Sequence, residues 1–446
     1  MVAISVLVVA DTTADLRSAE RRSPFAMGAG LESAPAGTPK DLHIDTTFTP
    51  VPLGRKSADA GPEMAAAGES EQYVLRGTID SADIDRYGEA RDGMRIFADP
   101  AVGLTQPAKP ICPGAPPHGT ASTIRGLLRV DALQAQGLNG EGVAIAIVDT
   151  GINLAHLCRQ GLAPKLDPHI HWSPAQASRP GHNSLDHGTM CAHAASIAAP
   201  QAVFLDFSVL QSSRAGGSVM DGFLSDAVQA YGVLLAMMML DQEVRPYHAL
   251  VINNSWGMFH PSWDFPLGHP GRYADNPDHP FNEIVGVLAG AGADILFAAG
   301  NCGQDCPDGR CRGLTVGQIT GANSHPAVLS VAGNDIDRDI VGYSSGGPGA
   351  LSNVKPDISA YTHYLGSEAF GDGSADGGTS TACPLAAGCV AALRTNRPPG
   401  ETGSAELFDT VRATAIQPPG QVGWDDRFGF GVINPVGAAA ALSATV

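Results

Sequence analysis

From about residue 123 to the C-terminus, short apolar runs alternate with alanine-rich stretches of helical length. Examples are "GVAIAIVDTGI", "HGTMCAHAASIAA", "ALVINNSWG" and "EIVGVLAGAGADILFAAGN". Continuous apolar strands that alternate with helices are typical of a parallel sheet that is covered on both faces. The pattern therefore predicts an α/β fold with a mainly parallel sheet flanked by helices.

Three polar residues stand where these predicted strands end or helices begin. Asp149 follows the apolar strand at 143–148, His187 opens a helix, and Asn301 ends the run "ILFAAGN". Ligands bind at the carboxyl ends of the strands in an open parallel sheet, so the three side chains are expected at one rim. Each also has an ordinary alternative role: a turn former, one of fourteen histidines, and a strand-end cap.

The segment "DGGTSTACPLAAG" places Ser380 at the predicted N-terminus of a mostly apolar helix over 380–394. Pro384 is compatible with that helix, because a first helical turn tolerates proline. Free backbone amides and the positive end of the helix dipole would favour a hydroxyl that must form an oxyanion. The alternative is an ordinary serine N-cap.

Together these residues supply a nucleophile, a base, a carboxylate that orients the base and an oxyanion donor. Asp149 in "IVDTG", His187 in "HGT", Asn301 in "AAGN" and Ser380 in "GTSTACP" resemble the four signature segments of the subtilisin-like serine proteases, the subtilases. The order Asp, His, Ser is also that of subtilisin. The resemblance covers roughly residues 123–445.

The resemblance implies a three-layer subtilisin-like fold and an endopeptidase that works through an acyl-enzyme. Ser380 would attack the peptide carbonyl, and His187 would take its proton and pass it to the leaving amine. Asp149 would orient the imidazole ring, and the Asn301 side chain would donate to the oxyanion. No cofactor is expected.

The family also implies where a substrate would lie. The segment "NNSWG" matches the family strand that pairs with the substrate as an added strand. Core packing is the alternative role for its tryptophan. We expect a preference for apolar or aromatic P1 and P4 side chains. The expected substrate-binding residues are Ser255, Trp256, Gly257, Ala299 and Gly300, with Gly321 near the pocket floor.

The sequence departs from the family pattern in several places. His193 replaces a glycine that is common six residues after the histidine, and Cys191 makes "HGTMCA" similar to the proteinase K-like branch. The long aromatic insertion at 258–281 is expected to rim the cleft. The chain after His187 lacks the loop of the strong subtilisin calcium site, so no metal site is assigned. Two acidic pairs, Asp275 with Asp278 and Asp305 with Asp308, leave calcium open.

Composition divides the chain into four predicted segments. Residues 1–71 are predicted to be a poorly ordered leader, in which 1–10 form a weak signal or a buried first strand. Residues 72–105 resemble the end of an inhibitory propeptide, with a permanent N-terminal extension as the alternative. A proline-rich linker at 106–122 follows, and self-cleavage is expected within 107–120. The subtilisin-like domain occupies 123–446.

The net charge, the apolar runs and the cysteines of the chain indicate its partners, its location and its disulfides. A formal net charge of −18 without a Lys/Arg run argues against nucleic acid. No apolar run approaches the roughly 20 residues of a membrane-spanning helix. We expect a monomer that acts on protein or peptide substrates, and secretion is favoured over a cytoplasmic location. Cys302, Cys306 and Cys311 indicate a local disulfide staple, with zinc as the alternative.

Two functions from other classes stay open at this point. A catalytically silent subtilase could serve as a binding scaffold, although such a protein would not need all four residues. A sedolisin has a similar serine segment but uses glutamate as its base, and "HGT" and "AAGN" argue against it.

Overall fold

The structure, a computed structural model, forms two compact units, Met1–Gln106 and Pro107–Val446. The boundary lies one residue from the predicted start of the linker. The structure describes residues 3–11, 31, 33–46, 51–53, 72–80, 94–98, 111–173, 179–211, 224–238, 240, 245–264, 267–268 and 272–444.

The first unit contains an antiparallel sheet in the order β2-β4-β1-β5, with β3 also paired to β4. Val8, Tyr73 and Leu75 are among its buried core residues. The N-terminal apolar run forms the strand β1 in this unit. Strand β1 pairs with β4, so residues of the predicted leader and of the predicted propeptide remnant belong to one sheet. Residues 12–30 and 54–71 lie outside the described part of the chain. The strands are β1 (Ala3–Asp11), β2 (His43–Ile44), β3 (Val51–Leu53), β4 (Gln72–Asp80) and β5 (Met94–Ala98).

The second unit is built on a seven-stranded parallel sheet in the order β12-β11-β10-β9-β6-β8-β7. This confirms the predicted α/β fold, and β6 has the predicted bounds. A short antiparallel hairpin, β13 with β14, precedes Ser380. The strands are β6 (Val143–Val148), β7 (Lys165–Leu166), β8 (Val203–Phe207), β9 (Ala249–Asn254), β10 (Asp294–Ala298), β11 (Leu329–Asn334), β12 (Ile358–Tyr361), β13 (Tyr364–Leu365) and β14 (Ala375–Asp376).

Helices cover both faces of this sheet because apolar strand residues point to both faces. Along β6, Val143, Ile145 and Ile147 join one core, and the intervening Ala144 and Ala146 join the other. The helices α4 and α7 pack in the first core, and α5 and α6 pack in the second. The described helices are α1 (Ala121–Leu127), α2 (Val130–Gln134), α3 (Leu154–Arg159), α4 (His187–Ala198), α5 (Leu224–Met238), α6 (Pro280–Gly290), α7 (Thr379–Arg394), α8 (Ser404–Ala413) and α9 (Pro435–Ala444).

Helix α7 is buried along its whole length and differs from the prediction in one detail. Pro384 lies in the second turn, where it removes the N–H that would bond to the Ser380 carbonyl oxygen. That oxygen instead accepts a hydrogen bond from Ser255 Oγ at 3.0 Å. At the other end, the buried Arg394 makes a bidentate ion pair with Asp294 at the start of β10 (2.6 and 2.8 Å). Both contacts fix the helix against the sheet.

Two disulfides occupy the cysteine-rich loop. Cys302 pairs with Cys311, which confirms the local staple, and Cys306 pairs with the distant Cys112. The zinc alternative was therefore wrong, because all three loop sulfurs are in covalent S–S bonds. The remaining cysteines are free thiols.

In the part of the chain that the structure describes, we find no helix with the length and apolarity needed to cross a membrane.

Candidate active site

Asp149 and His187 meet at the carboxyl edge of the sheet. Asp149 follows β6 and is fully buried. His187 is the first residue of α4, where the Asp186 carboxylate caps its backbone N–H (2.8 Å). The ring Nδ1–H of His187 donates to both Asp149 carboxylate oxygens, at 2.9 and 3.0 Å. This tautomer leaves Nε2 without a proton, as a general base requires.

The charge of Asp149 controls the protonation of His187. Burial lowers the pKa of the His187 ring, but the negative charge and hydrogen bond of Asp149 raise it more, and the net pKa lies above the ordinary histidine value. The imidazolium that forms when His187 accepts a proton is therefore stabilised in place.

Cys191 lies beneath this pair, one helical turn after His187. Its sulfur is 3.6 Å from Asp149 Oδ2, 3.8 Å from His187 Nδ1 and 3.6 Å from the Ser380 carbonyl oxygen. Burial raises the pKa of the Cys191 thiol to about 12, so the group is neutral at pH 7. It fills the space as a small apolar residue, and its similarity to the proteinase K-like branch stays a prediction.

Ser380 lies in the first turn of α7, after a left-handed Gly378 (φ 79°). Its hydroxyl donates to the Ser255 carbonyl oxygen at 3.3 Å. Ser380 and His187 line the same large cavity, of about 1250 Å³. Ser380 thus lies in the cavity wall at the N-terminus of a helix, where backbone N–H groups have no partner four residues earlier in the helix.

The Asn301 side chain lies next to the N-terminus of α7, close to Ser380. Its Oδ1 accepts hydrogen bonds from the backbone N–H (2.9 Å) and the hydroxyl (3.1 Å) of Thr379, which fixes which amide atom is the oxygen. Its Nδ2 then faces Gly378, where an added Cβ would lie only 3.1 Å away. Glycine at 378 thus keeps space open around a side-chain donor next to Ser380.

The predicted substrate segment follows β9. Ser255, Trp256 and Gly257 line both the large cavity and a small one of about 30 Å³. Trp256 also packs on Phe281 and Phe297, and its Nε1–H donates to a backbone carbonyl of β6 (3.0 Å). Trp256 therefore packs in the core and also lines the cavity wall, and its contact with substrate stays a prediction.

Ala299 and Gly300 line the small cavity, opposite the substrate segment. Gly321 lines neither cavity, in contrast to the prediction, because the Tyr273 ring occupies the space beside it, 2.1 Å from where a Cβ would lie. Sequence reasoning missed Asn323. Its Nδ2 donates to the Trp256 and Ala298 carbonyl oxygens (2.8 and 2.9 Å), which joins the two walls.

The insertion lines the large cavity, as predicted. Residues 265–266 and 269–271 of it lie outside the described part. No glutamate is among the described residues that line either cavity, whereas a sedolisin would need one. The insertion residues in the cavity wall are Met258, Phe259, Trp263, Asp264, Tyr273 and His279.

The acidic loops considered for calcium make ion pairs with arginine. Asp308 pairs with Arg310 (2.9 Å) and Asp305 with Arg427 (2.8 Å). Asp275 similarly pairs with an arginine three residues before it (3.0 Å). These carboxylates have basic partners on the protein, and calcium stays unassigned.

His193 is buried against the hairpin that leads to Ser380. Its Nδ1 lies 4.0 Å from the Asp376 carboxylate. Burial lowers the pKa of His193 to about 4 and raises the pKa of Asp376 to about 6. The histidine is therefore neutral near pH 7 and fills the position as packing.

Comparison with known proteins identifies the family of the chain. The subtilase family model matches residues 140–431, and the chain belongs to the subtilase family. Human furin is 26% identical over 279 residues, and human proprotein convertase subtilisin/kexin type 4 is 27% identical over 281 residues. Each match covers 59% of this chain but only 31% and 33% of those proteins. The chain thus spans about a third of the length of these curated relatives.

Solved structures agree on the fold. The crystal structure of MycP1 with the N-terminal propeptide removed has a TM-score of 0.50 and 23% identity. The match covers 71% of this chain and 96% of that one. The similarity shows a shared fold.

Proposed function

We propose that the protein is a serine endopeptidase that hydrolyses peptide bonds through an acyl-enzyme. The observation that carries the proposal is the hydrogen-bonded Asp149–His187 pair in the cavity that also holds Ser380 and Asn301. Family membership supports the same activity. Its expected partners are protein or peptide substrates.

The reaction begins with a rotation of the Ser380 hydroxyl from the Ser255 carbonyl oxygen toward His187 Nε2. Such hydrogen bonds often form only when substrate is present. As Ser380 Oγ bonds to the peptide carbonyl carbon, His187 takes its proton and the carbonyl oxygen becomes an oxyanion. The protonated His187 then gives that proton to the leaving amine, and the C–N bond breaks. Water reverses the sequence to release the acid and restore Ser380.

Asn301 is the proposed oxyanion donor. Replacing it with alanine, which removes Nδ2, should lower kcat by about 10²–10³-fold, as loss of this donor does in subtilisin. The measurement is kcat on a peptide substrate. Asn139→Ala, at an asparagine that lines neither cavity, serves as the control. A turnover of Asn301→Ala near the wild-type value would show that the oxyanion is stabilised elsewhere.

The pH dependence follows from His187. The base must be neutral, and the pKa of the ring is raised, so kcat/KM should increase with pH through a midpoint above about 6.5. The Asp149→Asn variant lacks the negative charge that raises the pKa of His187. The pH midpoint of its residual kcat/KM should therefore be lower than that of the wild type. A pH profile of both proteins tests this. A wild-type midpoint well below 6.5, or activity confined to acid, would contradict the role of His187.

The small cavity is the proposed P1 subsite. It is lined by apolar, aromatic, cysteine and uncharged polar residues, without an acidic or basic side chain, and its volume of about 30 Å³ suits a small side chain. We therefore expect apolar P1 residues, with alanine-sized side chains cleaved faster than aromatic ones, while apolar P4 residues use the larger cavity. A peptide library varied at P1 and P4 measures this. Selection of arginine or lysine at P1 would exclude the assignment.

A further inference from the structure

Residues 111–119, called the strap below, form part of the wall of the large cavity although the sequence predicts them to be linker. None of them lines the small cavity, so the strap does not contribute to the proposed P1 subsite. Three of the wall residues are exposed and two are half-buried, as expected of a rim that a substrate can reach. The strap residues in the wall are Pro113, Gly114, Ala115, Pro116 and Pro117.

The strap is attached to the protease unit at both ends. The Cys112–Cys306 disulfide joins it covalently to the loop that follows Asn301. Next to this bond, the Gly342 N–H donates to the Ile111 carbonyl oxygen (2.8 Å). At the other end, the Leu365 N–H donates to the Gly119 carbonyl oxygen (3.0 Å). A segment held in this way stays in place while a substrate binds.

His363 holds the middle of the strap. Its Nε2–H donates to the Ala115 carbonyl oxygen (2.9 Å), and its own carbonyl oxygen accepts from the His118 N–H (2.7 Å). Its Nδ1 accepts from the Tyr343 hydroxyl (3.3 Å), and burial lowers the pKa of the ring, which favours this neutral form. His363 has a left-handed backbone (φ 65°), a conformation that non-glycine residues rarely adopt.

The same network reaches the loop before Ser380. The Tyr343 hydroxyl lies 3.5 Å from Thr362 Oγ1. Thr362 Oγ1 in turn donates to the carbonyl oxygen of Gly378, the N-cap of α7 (2.7 Å). The strap and the backbone that presents Ser380 are thus positioned by one set of buried side chains.

We propose that the strap is a permanent wall of the substrate cleft and determines specificity for substrate residues other than P1. The proposal rests on the proposed endopeptidase function. It also revises the expected processing site: after a cut that follows Cys112 the disulfide would still hold the first unit, so removal of that unit requires a cut before Cys112.

The test compares two substrates that differ in how far they extend along the cleft: an apolar octapeptide and an N-acylated alanine ester. In Pro116→Trp, an added indole at an exposed wall position narrows the cleft. We expect kcat/KM for the octapeptide to fall at least about tenfold and that for the ester to fall much less, since only the octapeptide reaches the strap. Pro419→Trp places the same side chain at an exposed proline outside both cavities and is the matched control.

A second variant loosens the strap without adding bulk. Cys112→Ser/Cys306→Ser should also lose activity on the octapeptide more than on the ester, because the wall is no longer fixed. Labelling by a fluorophosphonate reports separately that the proposed nucleophile works in each protein. Equal losses on both substrates, no loss on either, or a purified active protease that begins after residue 119 would each overturn the proposal.

Discussion

A Ser380→Ala variant is expected to lose about 10⁶-fold in kcat, the magnitude known for the corresponding change in subtilisin. The reason is structural: Ser380 carries the hydroxyl that lies in the first turn of α7 and shares a cavity with His187. Any remaining rate would come from substrate binding and the oxyanion donor. The measurement is kcat on a peptide substrate with stoichiometric enzyme.

The matched control is Ser443→Ala, which changes an exposed serine on α9. Its kcat should equal that of the wild type. The thermal unfolding midpoint of Ser380→Ala should stay close to that of the wild type, so that the lost activity is not lost folding. A Ser380→Ala protein that retains even a few per cent of wild-type turnover would show that another group is the nucleophile.

An Asp149→Asn variant is expected to lose about 10⁴-fold in kcat, the size reported for this change in serine protease triads. Its amide N–H would donate to His187 Nδ1, which moves the ring proton to Nε2. In that tautomer His187 cannot take the proton of Ser380. The substitution keeps the size of the side chain, so the loss should appear in kcat rather than in stability.

Comparison with Asp131→Asn, at an exposed carboxylate on α2, separates this effect from a general change of charge. That control should retain full activity. If Asp149→Asn reduced kcat by less than about tenfold, the contact between Asp149 and His187 would be structural only, and the proposed proton transfer would need another orienting group.

Much of the second unit could be predicted from local sequence. The strand β6 has no polar residue between Val143 and Val148, so both of its faces had to be buried, and its bounds were predicted correctly. Asp149, His187 and Ser380 each follow or begin a regular element. Their meeting at one rim follows from the parallel arrangement of the strands.

Other features depend on contacts between segments distant in sequence. Cys112 pairs with Cys306 across 194 residues, and nothing near either cysteine identifies the partner. Gly321 was expected at the pocket floor, but Tyr273 from the insertion fills that space. Asn323 has no local motif, although its amide joins both walls of the small cavity.

Pro384 is accommodated in α7, as predicted, but for a different structural reason. Proline was expected to be tolerated in a first turn that lacks partners. It lies instead in the second turn, and the Ser380 carbonyl oxygen that it leaves free is satisfied by Ser255. The sequence could not indicate this partner, which is supplied by the segment after β9.

Covalent labelling tests the identity of the nucleophile most directly. Wild type and Ser380→Ala are incubated with a fluorophosphonate, and intact mass, peptide mapping and N-terminal sequencing are recorded for both. We predict one label per wild-type chain, on Ser380, and none on the variant. An unlabelled wild type, or equal labelling of both proteins, would contradict the account and favour a subtilase fold that serves as a binding scaffold.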